Sequence, residues 1–365
     1  MGLVLFFVCS SASRSTAPKT YQQALPGYRY HFPMDHWAHK GFKTEWWYYT
    51  GHLFDEKRSR RFGYELTFFR IGTGLPGLPD NDWALDDIYM VHFAVSDVTG
   101  KRFYHTQRLG RSGSDLSGAS ATQYHVWVKD WFAKALETDD ETTQWVRLKA
   151  GSDTDTDAMA IDLTVNPAKP PVVHGVDGVS QKADCRGCAS HYYSYSRLET
   201  TGTLRLNGQT YSVEGLSWMD HEFGSNQLTP QQSGWDWFSI QLDDGSELML
   251  YVLRRQDGQW DDNASGTYIK PMSLAIKPKP SATASLVPMP SVHLSRAEFS
   301  ITPASSWTSP STKGIYPLDW RIQVPSQGLD LRVRPFFKPE LEIPGIGQYQ
   351  GLAYWEGACQ GVGHP

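Results

Sequence analysis

The sequence predicts an all-β protein of two domains, and this prediction depends on its aromatic content, its turn residues and a repeated hairpin pattern. The 365 residues include 14 Trp, 18 Tyr and 16 Phe, and aromatic residues favour strands. The 32 Gly and 22 Pro residues supply turns between many short strands, as in sandwiches and barrels. A chain of this length has room for two domains of ordinary size.

Two stretches share the pattern of a hairpin that opens on paired tryptophans. In the first, Glu45–Phe54 and Phe62–Arg70 flank a charged tip. In the second, Trp235–Leu242 and Glu247–Arg254 flank a polar Asp-Asp-Gly turn. Each unit runs from the Trp pair through the turn to Glu-Leu, further apolar residues and Arg. This weak internal repeat favours two similar β-domains.

Further turn signals agree with an all-β chain. Asn207 and Gly208 lie between two alternating strand patterns, which is the strongest short hairpin signal. Asp97–Gly100 follows another strand-like run and predicts a second turn. The best candidate for a short helix is Val128–Leu136.

The domain boundary is predicted in the stretch richest in Pro, Gly and Ser, Pro167–Ser190. We therefore expect an N-terminal domain over residues 20–185 and a C-terminal domain over residues 186–365. Residues 1–19 contain the apolar run Gly2–Val8 followed by small residues, as in a secretory signal. We expect a secreted or periplasmic protein, and no later run is long enough for a transmembrane helix.

Charge and cysteine content exclude several function classes. The net charge is −5 and only the short Lys57–Arg61 run is basic, so a hairpin tip is expected there and no nucleic-acid partner. Cys185 and Cys188 form a single C-x-x-C, which is weak evidence for zinc. A local disulfide and two free thiols both stay open, and we predict neither a metal nor a cofactor.

Five motifs together span nearly the whole chain after residue 19. They are FPMDH at Phe32–His36, TEWWYYTGHL at Thr44–Leu53, GLSWMDHEFGS at Gly215–Ser225, GWDWF at Gly234–Phe238 and YWEGA at Tyr354–Ala358. In these motifs the chain resembles the hydroxyneurosporene synthase family (carotenoid 1,2-hydratase, AttH-like). The resemblance implies two lipocalin-like β-barrels packed together. Some members hydrate an isolated double bond in isoprenoids, and many secreted members are described only as predicted hydrolases.

The chain departs from the family pattern at its end. The resemblance implies a final Gly-Tyr-Leu-Glu-Leu-Thr-Gly-Tyr-like strand, whereas the sequence closes on Cys359–Pro365. We therefore expect the second barrel to be short of one strand. The sequence is also more similar to the secreted branch than to the carotenoid hydratases.

The longest motif supplies the candidate catalytic residues Asp220, His221 and Glu222. In a strand, Trp218, Asp220 and Glu222 share one face and the residues between them share the other. A carboxyl buried beside aromatic rings has a raised pKa and stays protonated, so it can protonate an alkene. Aromatic faces would then stabilise the cation before water adds. The candidate ligand-binding residues are Trp46, Trp47, Tyr48, Trp218, Trp235, Trp237 and Tyr251.

Structural roles compete with each of these assignments. Asp220 could cap the turn that follows it, His221 could be a satisfied core residue, and Glu222 could pair with an arginine. Glu45 and Asp236 each adjoin a Trp pair and would suit a glycosidase if they faced one groove. The sequence contains no phosphate-binding loop and no G-x-S-x-G elbow.

The leading hypothesis is a lipocalin-like protein that binds an apolar isoprenoid or lipid and hydrates an isolated double bond without a cofactor. A non-catalytic carrier of the same ligand and a secreted carbohydrate-active hydrolase are the alternatives. Contact with the surface of a membrane would suit the hydratase and the carrier. A barrel of about eight strands has room for one small apolar ligand.

Overall fold

The protein is all-β, as predicted. The computed structural model describes residues 19–75, 85–113, 115–136, 145–152, 158–226, 228–272, 288–308, 313, 315–336, 343–344, 353–354 and 359–363. Most of the signal-like segment lies outside these residues. Within them the chain forms 23 strands and four short 3₁₀ turns, with no α-helix. None of the helical segments described has the length and apolarity to cross a membrane.

The strands are β1 (Thr44–Asp55), β2 (Arg60–Gly72), β3 (Asp87–Asp97), β4 (Arg102–Arg111), β5 (Ser117–Ala119), β6 (His125–Val128), β7 (Trp131–Ala135), β8 (Val146–Ser152), β9 (Met159–Pro167), β10 (Val172–Val173), β11 (Ser180–Gln181), β12 (Ala189–Leu206), β13 (Gln209–Gly224), β14 (Gln232–Gln241), β15 (Glu247–Arg255), β16 (Ser265–Ile269), β17 (Ser291–Leu294), β18 (Ser300–Thr308), β19 (Ile315–Val324), β20 (Leu329–Pro335), β21 (Ile343–Pro344), β22 (Ala353–Tyr354) and β23 (Cys359–Gly363). The 3₁₀ turns are Met34–His36, Glu56–Arg58, Arg296–Glu298 and Pro325–Gln327.

One sheet curls into the first barrel. Its strand order is β4-β3-β2-β1-β13-β12-β9-β8-β7-β6-β5, and β10 and β11 pair with β12. The two ends of this order come together, because a Cβ built on Gly110 of β4 would lie 2.0 Å from the Ser117 hydroxyl of β5. A residue without a side chain is therefore needed where the barrel nearly closes.

The predicted hairpins are confirmed. The strands β1 and β2 pair from Thr44 to Asp55 across the charged tip, and β14 and β15 pair across the second polar turn. Asn207 and Gly208 connect β12 to β13 with φ values of 50° and 79°, as a type I′ turn requires. The short helix expected at Val128–Leu136 is wrong. Lys129 turns with φ 58°, and β6 and β7 pair on either side of it.

The second barrel consists of two four-stranded sheets that enclose a common core. Their strand orders are β14-β15-β16-β17 and β18-β19-β20-β23. Leu248 and Leu250 of the first sheet pack in one cluster with Ile322 and Leu331 of the second. The two sheets therefore share one hydrophobic interior, consistent with the lipocalin-like fold.

The strand order places the change of barrel later than the predicted boundary at residue 185. The strands β12 and β13 follow that residue, yet they lie between β9 and β1 of the first barrel. The Pro- and Gly-rich stretch before them is not a linker, because its β10 and β11 pair along β12. Its C-x-x-C forms a disulfide between Cys185 and Cys188. The chain passes to the second set of strands after Gly224.

Apolar residues of both barrels meet in a separate cluster. Tyr192 and Trp218 from the first barrel pack there with Met249, Tyr251 and Leu253 of β15. Aromatic side chains make large contributions to such contacts because each buries a large area. This junction is where the longest family-like motif faces the second barrel.

Candidate functional site

The strand β13 is buried on both sides where it carries the motif. Asp220 lies opposite Tyr48 of β1 and Ser194 of β12, while His221 lies opposite Trp47 and Tyr193. Since directly opposed residues share a face of the sheet, the predicted alternation is observed. Trp218, Asp220 and Glu222 face the second barrel, and Met219 and His221 face the interior of the first barrel. Phe223 shares their face but packs in a separate cluster with Phe42 and Val179.

On the side of the second barrel, Asp220 is only 5% exposed and accepts three hydrogen bonds. Trp218 Nε1 donates to Oδ1 at 2.6 Å, and the Ser194 hydroxyl donates to the same oxygen. Tyr192 OH donates to Oδ2 at 2.9 Å and accepts from Trp237 Nε1 at 3.2 Å. We call these five residues the Asp220 cluster. They surround one carboxyl with aromatic rings and neutral donors.

Burial raises the pKa of Asp220 to about 7, although the hydrogen bonds from Ser194, Trp218 and Tyr192 oppose this rise. Removal from water disfavours the charged carboxylate more than three neutral donors stabilise it. Near neutral pH a large fraction of the molecules therefore carries a proton on Asp220. A general acid needs this property at its working pH.

The raised pKa also predicts a pH-dependent stability. The pKa of Asp220 rises from 3.8 in its ordinary environment to about 7 in the folded protein, so the folded state binds the proton more tightly. Its stabilising contribution is complete below the unfolded pKa and is lost as the pH rises through the folded pKa. We compare the wild-type protein with Asp220→Asn. The free energy of unfolding of the wild type should fall by about 1.4 kcal/mol per pH unit between about pH 5 and 6, and less steeply as the pH reaches the folded pKa.

Urea unfolding of both proteins at several pH values in this window measures the difference. The difference should level off above about pH 8, where Asp220 is ionised in both states. A difference that does not vary with pH would show that the folded protein leaves the pKa of Asp220 unchanged.

Glu222 is held in an ion pair and differs from Asp220 in this respect. Its Oε1 lies 3.1 Å from Lys182 Nζ, and the Ser190 hydroxyl donates to the same oxygen. The Lys182 ammonium also lies 4.1 Å from the ring centre of Tyr251. Burial disfavours the charge of Lys182, but Glu222, Tyr251 and Asp220 together offset this and raise the pKa of the lysine. Glu222 is thus held by a cation and a hydroxyl donor, and the same cation covers one face of Tyr251.

The predicted ligand-binding aromatic residues separate into three groups. Trp218, Trp237 and Tyr48 come together around Asp220, with Tyr48 edge-on to Trp237 at 5.2 Å. Trp46 faces the same side of β1 as Tyr48, and Tyr251 lies at the junction of the barrels. The other two residues lie elsewhere. Trp47 stacks on His221 inside the first barrel, and Trp235 is 46% exposed.

On the interior side, His221 belongs to a buried network of charged groups. Its Nε2 lies 2.9 Å from Glu45 Oε1, and His39 Nδ1 lies 2.8 Å from the same oxygen. Arg70 Nε donates to Glu45 Oε2 at 3.0 Å, and its Nη1 donates to Asp87 at 2.9 Å. Burial disfavours a charged Glu45, yet these partners hold its pKa well below the ordinary range. His221 is therefore placed among structural ion pairs, away from Asp220.

Three residues of this network, His39, Glu45 and His221, lie close enough to hold a metal ion. Their ligand atoms are all within 4.8 Å of one another. Each of these atoms already bonds another member of the network, and the buried Arg70 guanidinium holds the second carboxylate oxygen. A divalent cation would have to sit beside that guanidinium, so the charges favour an ion-pair network.

The tyrosines of β12 contact both groups of site residues, although the sequence did not predict them as site residues. Tyr193 OH lies 2.6 Å from His36 Nδ1 and 3.0 Å from His221 Nδ1. Tyr195 OH lies 3.1 Å from His36 Nε2. On the other face, Tyr192 and Ser194 bond Asp220. The alternating run His191–Tyr195 was the available signal, because its period of two places polar groups on both faces.

The interior of the first barrel is filled by side chains. A cavity in this interior measures about 10 Å³ and is lined by residues that include His36, Tyr124, Tyr195 and Met219. This is about the space that one buried water needs. A cavity of this size does not hold an apolar ligand.

The two acids considered for a glycosidase, Glu45 and Asp236, lie in different environments. Glu45 is fully buried in the network with Arg70. Asp236 lies on β14 of the second barrel and pairs with Arg254 at 3.6 Å. Because Glu45 faces the filled barrel interior, the pair does not flank an open groove.

Comparison with known proteins gives the family. The model of the AttH-like family matches residues 23–365. A crystal structure of a Nitrosomonas europaea protein designated AttH is 27% identical, with a TM-score of 0.77, covering 94% of this chain and 95% of that one. The crystal structure of kievitone hydratase from Nectria haematococca shares the fold at 13% identity and a TM-score of 0.59, covering 91% and 88%. No curated protein matches the chain. The chain belongs to the AttH-like family.

Proposed function

We propose that the protein binds an apolar isoprenoid or lipid at the junction of its two barrels and hydrates an isolated double bond there, with Asp220 as the acid. The observation that carries the proposal is the burial of one carboxyl among Trp218, Tyr192 and Trp237. Such surroundings keep a carboxyl in its protonated form. They also present aromatic faces to a developing positive charge.

The reaction needs no cofactor. The Asp220 carboxyl transfers its proton to one alkene carbon, which forms a C–H bond and leaves a tertiary cation and a carboxylate. Water then attacks the cation through its oxygen, and the proton that this water loses returns to Asp220. The rings of Trp218 and Trp237 are the cation-stabilising groups in this scheme, because Lys182 already occupies a face of Tyr251.

Access to the acid involves the two half-buried residues on its outer side. Trp237 and Tyr48 pack edge to face there, and both are partly exposed. Trp237 is held to Tyr192 by one hydrogen bond of 3.2 Å. A ligand that displaces the Trp237 ring breaks this hydrogen bond and the ring contacts with Tyr48 and Trp218 before it reaches Asp220.

A non-catalytic carrier is the second candidate function. Three hydrogen-bond donors converge on Asp220. This favours the carrier, because buried polar groups are commonly hydrogen-bonded for structural reasons alone. Both candidates share the ligand, and contact with a membrane surface would serve either one as its source. They differ only in turnover.

We expect isoprenoid alcohols to quench the tryptophan fluorescence of the protein, since Trp218 and Trp237 line the proposed site. Incubation with the same alcohols in ¹⁸O-labelled water should give a tertiary alcohol that carries the label, detected by mass spectrometry. Unchanged fluorescence and melting temperature across isoprenoids and fatty acids would contradict both candidates. Quenching without a labelled product would contradict the hydratase and support the non-catalytic carrier.

We also propose that the protein acts outside the cytoplasm, in a secreted or periplasmic location. The disulfide between Cys185 and Cys188 supports this, because disulfides persist in oxidising compartments. Thiol labelling of the protein isolated from its cells, with and without prior reduction, tests the location through the state of these cysteines.

A further inference from the structure

Large apolar side chains lie in register on the outer face of the first barrel. Trp46 of β1 lies opposite Phe69 of β2, Phe69 opposite Met90 of β3, and Met90 opposite Leu109 of β4. Residues directly opposed in antiparallel strands point to the same side of a sheet. The row therefore crosses three interstrand spacings, about 14 Å.

A second pair widens this row. Ile71 of β2 lies opposite Ile88 of β3, two positions along from Phe69 and Met90 and on the same face. Ile71 is 38% exposed, Ile88 is 40% exposed and Leu109 is 54% exposed. We call Trp46, Phe69, Ile71, Ile88, Met90 and Leu109 the apolar stripe. Single exposed apolar residues are ordinary, but contiguous patches mark binding surfaces.

The apolar stripe is continuous with the Asp220 cluster. Trp46 and Tyr48 occupy the same face of β1, and the Tyr48 ring lies 5.2 Å from that of Trp237. Trp46 also lies opposite Glu222 of β13, which is two residues from Asp220 on the same face. One end of the stripe thus lies two residues from the proposed acid, next to Tyr48, while the other end is open to solvent at Leu109.

The packed interior of the first barrel favours a position on its outer face for an extended ligand. A cavity of about 10 Å³ has no room for a hydrocarbon chain. A ligand whose double bond reaches Asp220 from the outer side meets Tyr48 and Trp46 next, and the stripe continues from there. Each apolar group of the ligand placed on the stripe gains affinity in proportion to the area buried.

We propose that the apolar stripe binds the hydrocarbon tail of the ligand whose reacting end lies at Asp220, so that affinity increases with chain length. The position of the reacting end rests on the proposed function. The occupant is a single extended apolar molecule, and the continuity of the stripe with the Asp220 cluster favours it over a membrane surface.

Geraniol, farnesol and geranylgeraniol test the proposal, because they differ by one isoprene unit each. Wild-type protein should bind them with increasing affinity. We expect Leu109→Gln to lower the affinity for geranylgeraniol about three- to tenfold, because part of one buried leucine contact is lost. The affinity for geraniol should not change. Phe54→Gln is the matched control, since Phe54 faces the same side of β1 but lies about 26 Å from Trp46 along the strand.

Three outcomes would overturn the proposal. The first is that Leu109→Gln lowers the affinity for all three alcohols equally. The second is that Phe54→Gln has the same effect as Leu109→Gln. The third is that the affinity of the wild-type protein does not depend on chain length. Sedimentation with phosphatidylcholine vesicles tests whether the stripe binds a membrane surface instead of a single ligand. In that case Leu109→Gln should lower binding to the vesicles, and the affinity for the alcohols should not depend on their length. A chain-length effect at Leu109 without any hydration product would support the stripe and refute the hydratase.

Discussion

Asp220→Asn should lower the rate of alkene hydration by about 10²–10⁴-fold, the usual contribution of a general acid. The amide has the shape of the protonated carboxyl. Its oxygen still accepts from Trp218 and Ser194, and its NH₂ faces the Tyr192 hydroxyl. Folding and ligand binding should therefore survive, while the transferable proton is lost.

Product formation from a bound isoprenoid and quenching of tryptophan fluorescence measure the two effects on one variant. Glu214→Gln is the matched control, because it makes the same change at an exposed position of the same strand. It should leave turnover unchanged. An Asp220→Asn protein that retains turnover but has a lower melting temperature would show that Asp220 belongs to the scaffold.

Arg70→Met should produce the largest loss of stability, about 3–5 kcal/mol. The Arg70 side chain is fully buried and joins Glu45 to Asp87. It also donates to the backbone carbonyls of His39 and Phe42, both at 2.9 Å. Removing the guanidinium leaves the buried Asp87 carboxylate without this cation and leaves Glu45 with its two histidine partners alone. A loss of this size is a large part of a typical folding free energy.

Urea unfolding gives the free energy directly, and Arg147→Met provides the comparison. Arg147 pairs with Asp162 on the neighbouring strand, but the two side chains are 45% and 39% exposed. Such surface pairs contribute about 0–1 kcal/mol. Equal effects of the two substitutions would mean that the Glu45 network does not depend on Arg70.

The sequence by itself determined the features that depend on neighbouring residues. The period of two in Trp218–Phe223 predicted that Asp220 and His221 point to opposite faces, because alternation is a property of a single strand. Asn207 and Gly208 predicted their turn because both adopt positive φ. The aromatic content predicted an all-β fold, which the strand order and the AttH-like family confirm.

Only the tertiary structure decided what each face meets. Trp46 and Trp47 are adjacent in sequence, yet one borders the Asp220 cluster and the other stacks on His221 in the barrel core. Lys182 pairs with Glu222 from a loop that composition alone marked as a linker. Such partners come from strands far apart in the chain, and no local pattern records strand order. The burial that raises the pKa of Asp220 arises in the same way, from packing between the two barrels.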